Sequence, residues 1–223
     1  MTDAKEKRGL LVFDLDGTLL DTLDDLTAAV DHALRAHGLP ERSRDEVRGF
    51  VGNGVHKLIE RALPNDAGPE LESAVFADFA ARYKEHCADL TRPYPGVEDM
   101  LRRLPELGWA AAVVSNKSDR EVQALCRRFF PGLLDMAAGE RPGLAVKPAP
   151  DLPYLVLDQL GYRPEQAVYI GDSQVDIETA RRASLFCICV SWGFRSREQL
   201  IAAGADLIAD DPGELLALLP HDK

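Results

Sequence analysis

An α/β architecture, with a parallel sheet core interrupted by an all-helical insertion, is the expectation from three features of this 223-residue chain. Short apolar runs recur along it and alternate with segments of helical period, the order that makes a parallel sheet with crossovers. The interval from Leu19 to Arg92, between the first and second runs, reads as almost wholly helical. Finally, the runs end in turns rich in acids, hydroxyls and amides, and open parallel sheets present their ligand-binding groups at such strand ends. The layering expected is Rossmann-like, with helices on both faces of the sheet.

The first strand is Leu10-Leu11-Val12-Phe13, closed at once by Asp14-Leu15-Asp16-Gly17-Thr18. Residues two apart on a strand point the same way, and Gly17 lets the chain bend as Asp16 leaves the ladder. Helices are expected next over 22–36, 44–50, 55–63 and 69–90. They are separated by Gly38-Leu39-Pro40, Gly52-Asn53-Gly54 and Pro64-Asn65-Asp66. This gives an α/β core of residues 1–20 and 93–223 and a helical cap of residues 21–92. The junctions at 20–22 and at Arg92-Pro93-Tyr94-Pro95-Gly96 are the expected hinges. Further strands follow at 110–114, 168–170 and 186–190, with a weaker one near 206–209. Helices at 97–107, 120–130, 152–160 and 177–183 fill the gaps.

Charge and composition narrow the function. Thirty-seven acidic residues against 26 Lys and Arg leave a formal net charge of −11, which disfavours a nucleic-acid backbone as partner. An anionic substrate would then need a local positive site. The polar start of the chain has no signal-peptide pattern and no segment reaches bilayer-spanning length, so a cytoplasmic protein without a membrane partner is expected. Cys87, Cys126, Cys187 and Cys189 form no metal-binding or disulfide pattern and read as core thiols.

Two carboxylates at the end of one buried strand can divide the labour of covalent catalysis, Asp14 or Asp16 attacking an electrophile while the other moves a proton. Ser115 and Asn116 close the second strand and can donate to an anion. Lys147, before Pro148 in a Gly- and Pro-rich loop, is a fixed positive charge for the same purpose. Tyr169-Ile170-Gly171-Asp172-Ser173-Gln174-Val175-Asp176 repeats the opening pattern of strand, glycine and acids. Oxygen donors without imidazole or thiolate favour a hard cation, Mg²⁺ in preference to a calcium cage. Lys117 is expected to be a solvated residue at the start of the next helix, with substrate contact as the alternative.

The order DxDGT, Ser-Asn, Lys-Pro and GDSxxD resembles the four motifs of the haloacid dehalogenase superfamily, specifically its phosphatases with a helical cap after the first motif. Val51-Gly52-Asn53-Gly54, Tyr94-Pro95-Gly96-Val97 and Ser115-Asn116-Lys117 are similar to the phosphoglycolate phosphatase group within it. The resemblance implies that Asp14 is the nucleophile that becomes an aspartyl-phosphate, and that Asp16 is the general acid and base. It implies Mg²⁺ held by the Asp14 carboxylate, the Asp16 backbone carbonyl and Asp172, with Asp176 orienting this set. Ser115, Lys147 and the backbone at Asn116 would bind the phosphoryl oxygens. Asn53 and Lys57 are the candidate cap contacts to a small phosphorylated metabolite, 2-phosphoglycolate first, in a monomer or homodimer; an interhelical turn with a cap residue and a surface lysine is the alternative reading of this pair. Two other readings remain open at this point: a sugar-phosphate mutase of the same fold, and a non-hydrolytic phospho-acceptor signalling module.

Overall fold

The computed structural model describes residues 8–219; the polar stretch 1–7 and residues 220–223 lie outside them. In chain order the elements are β1 (Gly9–Phe13), β2 (Leu20–Asp21), α1 (Leu23–Ala36), α2 (Arg44–Phe50), α3 (Val55–Ala62), α4 (Pro69–His86) and β3 (Arg92–Pro93). There follow α5 (Val97–Arg103), β4 (Trp109–Ser118), α6 (Asp119–Phe129), β5 (Met136–Glu140), α7 (Asp151–Leu160) and β6 (Ala167–Gly171). The chain closes with α8 (Gln174–Ala183), β7 (Phe186–Val190), α9 (Arg197–Ala202), β8 (Ile208–Ala209) and α10 (Pro212–Leu218). They cluster into two compact units, Leu20–Arg92 and the residues on either side of it.

The flanking unit is a six-stranded sheet in the order β5-β4-β1-β6-β7-β8, with its neighbouring strands parallel. All five residues of β1 are buried. One face of the sheet, carrying Leu10, Val12, Ala110, Ala112 and Tyr169, packs on Leu152, Val156 and Leu157 of α7 and on Ala180 and Ala183 of α8. Leu11, Phe13, Ala111, Val113, Val168 and Ile170 point the other way and are equally buried, so both faces are covered, as a parallel sheet requires. The chain runs outward from β1 to β4 and β5, then returns to β6 on the other side of β1. That reversal makes the carboxyl end of β1 the topological switch point, where open α/β sheets bind ligands.

The strand β5 escapes the sequence pattern because Met-Ala-Ala-Gly-Glu has no β-branched residue and lies at the sheet edge. Likewise α9 and α10, six and seven residues long, are too short to display a period. Asp211 nevertheless caps α10, its Oδ1 accepting from the N–H groups of Gly213 and Glu214 at 2.7 and 2.9 Å.

The helical unit holds α1 to α4, with Ser43 and Glu46 forming a capping box on α2. Stacked Phe79 and Tyr83 side chains lie buried on α4. The last helix ends at His86, four residues short of the expected 90. Asp25 of α1 is the reason. Its buried carboxylate accepts from the N–H groups of Leu90 and Thr91 and from the Thr91 hydroxyl at 2.8–3.1 Å, drawing that backbone out of helical pairing.

Candidate active site

The β1–β6 register sets Phe13 opposite Ile170, and the Asp14 N–H continues the ladder to the Ile170 carbonyl at 2.8 Å. Asp14, directly after Phe13, and Asp172, one residue past Gly171 at the end of β6, are therefore carried to one rim. There the carboxylate oxygens of Asp14, Asp172 and Asp176 lie within 4.8 Å of one another. Gly17 has φ +89°, and a Cβ on it would run into the Asp172 carboxylate. Only glycine combines that backbone with so close an approach.

Lys147 is buried and bridges the cluster, its Nζ lying 2.7 Å from Asp14 Oδ1 and 2.8 Å from Asp176 Oδ1. Asn116 holds it there. The Asn116 Oδ1 accepts from the Lys147 N–H at 2.7 Å and its Nδ2 donates to the Lys147 carbonyl at 2.9 Å. Through these two bonds the Asn116 carboxamide grips the lysine loop and fixes the place of Lys147. Asp176 sits at the third position of α8. It accepts from the hydroxyl of the N-cap residue Ser173 at 2.6 Å and from the Tyr169 hydroxyl at 3.2 Å. With Lys147 as well, both its oxygens have partners. Ser115 is buried beside them, its Oγ accepting from the Lys117 N–H at 3.2 Å.

Lys117 departs from expectation. Its side chain is 2% exposed and its Nζ lies 3.3 Å from Asp16 Oδ2, because β4 continues through Ser118 and the side chain never reaches solvent. The signal was present in the sequence: Lys117 is two residues beyond Ser115, on the same side of a strand. Also missed was the loop after β7. There the Phe194 N–H donates to Asp172 Oδ2 at 2.6 Å and the Trp192 indole N–H to the Thr18 carbonyl at 2.9 Å. A Cβ on Gly193 would lie 2.5 Å from that of Asp172. Its position at a strand end on the same rim was the available clue.

In the helical unit, Asn53 Oδ1 accepts from Arg61 at 2.8 Å and the exposed Lys57 pairs with Glu60. All four cysteines are free thiols, and no helix among the described residues is long and apolar enough to cross a membrane.

Electrostatics mark the rim as short of positive charge. Burial, then the neighbouring Asp176 and Asp16, push Asp14 up to about 7 against the pull of Lys147. Burial, with Asp176 and Asp14, raises Asp172 well above the usual carboxylate range, although the Phe194 N–H and Arg195 oppose this. For Lys147 burial favours the neutral form, but Asp14 and Asp176 outweigh it and hold the ammonium charged. Three buried carboxylates with oxygen donors alone suit a hard divalent cation.

A pH dependence follows. Folded Asp14 and Asp172 bind protons more tightly than in the unfolded chain, so stability falls as pH rises from about 4 through about 7. In chelator-treated protein the urea midpoint is expected to be lower at pH 8 than at pH 5. A divalent cation at a hundredfold excess over Kd should restore about 2.7 kcal/mol at pH 8 and far less at pH 5, where protons compete. Equal stabilisation at both pH values would contradict this charge assignment.

Residues 11–190 match the family Haloacid dehalogenase-like hydrolase. The chain is 36% identical over 220 residues to the phosphoglycolate phosphatase of Pseudomonas putida, covering 95% of this chain and 78% of that one. It is also 36% identical to the N-acetylmuramic acid 6-phosphate phosphatase of Pseudomonas aeruginosa, covering 94% and 93%. A crystal structure from Lactobacillus delbrueckii subsp. bulgaricus, provisionally named a phosphoglycolate phosphatase, superposes with a TM-score of 0.93 at 35% identity, covering 96% of this chain and all of that one. With its acids, lysines and hydroxyl gathered at the switch point of a parallel sheet, the chain belongs to the haloacid dehalogenase-like hydrolases.

Proposed function

We propose that the protein is a phosphoric monoester hydrolase acting on a small metabolite, with 2-phosphoglycolate the favoured substrate, through a phosphorylated Asp14. The observation that carries this reading is the buried Lys147 ammonium shared by Asp14 and Asp176. A carboxylate kept beside a fixed cation at a strand end is primed to attack an electrophile.

Asp14 attacks phosphorus, the bond from phosphorus to the ester oxygen breaks, and the leaving alkoxide takes a proton from Asp16. Asp16, now a carboxylate, draws a proton from water. The water oxygen attacks the acyl phosphate at phosphorus, releasing inorganic phosphate and restoring Asp14. The Ser115 oxygen accepts from the Lys117 N–H, which leaves the hydroxyl proton for a phosphoryl oxygen. Lys147 and the backbone N–H groups following Asp14 and at Asn116 hold the others. Asp14, the Asp16 carbonyl and Asp172 would hold Mg²⁺, which when bound would supply positive charge to screen the attacking carboxylate and the phosphoryl group. Asp176, tied to Ser173, Tyr169 and Lys147, keeps that set oriented.

Free thiols throughout fit a reducing, cytoplasmic setting. The two relatives at 36% identity are named for different phosphate esters, so the substrate is decided by assay. Phosphate release is expected from 2-phosphoglycolate with kcat/KM at least about tenfold above that for N-acetylmuramic acid 6-phosphate, a difference of about 1.4 kcal/mol. EDTA should abolish it. Release that survives EDTA, or a reversed preference, would overturn the cofactor or the substrate assignment respectively.

A further inference from the structure

The rim separates its two working acids electrostatically, giving each its own lysine. Lys147 contacts Asp14 and Asp176; Lys117 contacts Asp16. We infer that Lys117 is a positioning residue for Asp16, aiming its carboxyl group at the ester oxygen in the first step and at water in the second. The inference rests on the phosphatase reading above.

Three observations carry it. The Lys117 side chain is 2% exposed, with its Nζ 3.3 Å from Asp16 Oδ2, whereas the Asp16 side chain is 13% exposed. The buried partner therefore anchors the more accessible one. The Lys117 backbone is itself immobilised, since it lies within β4 and a Cβ on Gly139 of β5 would fall 2.6 Å from the Lys117 carbonyl oxygen. Lastly, β4 and β5 change register between Val114 and Ser118. Such irregularities beside active sites re-aim side chains, and this one spans Ser115, Asn116 and Lys117. An arginine or lysine that merely balanced surface charge would need none of this.

General acid help matters when the departing oxygen is a strong base and hardly at all when it is a weak one. The experiment compares Lys117→Met with the unsubstituted protein on glycerol 2-phosphate, 2-phosphoglycolate and 4-nitrophenyl phosphate, after thermal melts to show that both are folded. Lys117→Met should lose about 100-fold in kcat/KM on both alkyl esters and less than about threefold on the nitrophenyl ester. With the nitrophenyl ester it should show a burst of nitrophenolate, because the water step still needs Asp16. Lys117→Arg should recover part of the alkyl-ester rate. Equal losses on all three esters, or no loss, would overturn the inference alone. A loss confined to KM for 2-phosphoglycolate would overturn it too, by assigning Lys117 to the substrate carboxylate. An unsubstituted protein that turns over no ester would overturn the hydrolase reading and this one with it.

Discussion

Asp14→Asn is expected to lower kcat on 2-phosphoglycolate by at least about 10⁴-fold, since an amide cannot form the covalent intermediate. The substitution nearly preserves shape and removes a charge that burial disfavours, for Asp14 is pushed up to about 7 in the folded chain. Its melting temperature without metal should therefore equal or exceed that of the unsubstituted protein at pH 8. Intact-mass measurement after rapid acid quench should find a phosphate adduct on the unsubstituted protein and none on the variant. Substantial Mg²⁺-dependent turnover by Asp14→Asn would remove Asp14 from the nucleophile role.

Lys147→Ala should damage stability and chemistry together. It leaves Asp14 and Asp176 buried without their shared cation, and breaking a buried ion pair on one side costs about 3–5 kcal/mol. The loss should be largest at pH 8 and smaller near pH 5, where the carboxyl groups can take up protons. For the reaction, withdrawal of a fixed charge from the phosphoryl oxygens predicts a fall in kcat of about 10²–10³-fold. Urea denaturation at the two pH values and steady-state kinetics check both halves. Unchanged stability and kinetics would mean that the lysine neither organises the rim nor touches phosphate.

The legible parts of the fold were those in which local pattern and tertiary role agree. Leu10 to Phe13 and Ile188 to Val190 are apolar because central strands are buried on both faces, and the helical interval is long enough to show its period. Where an element is short or lies at an edge, as in β5, α9 and α10, burial is incomplete or the window too narrow, and the pattern disappears. A single acid also redirected a helix end, because Asp25 takes up backbone N–H groups 65 and 66 residues away.

The site divides in the same way. Asp14, Asp16, Ser115, Lys147, Asp172 and Asp176 could be nominated from residue type and motif order, because chemistry restricts which side chains can hold a cation and a phosphate. Their partnerships could not. That Lys147 serves Asp14 while Lys117 serves Asp16, that Asn116 grips the lysine loop, and that a Trp192-Gly193-Phe194 turn braces Asp172 all depend on distances between strand ends far apart in the chain. Residue identity along the chain thus specified the reagents and the order of the layers. Packing of the sheet specified which reagent faces which, since a contact across 133 residues is set by register and burial and leaves no local trace.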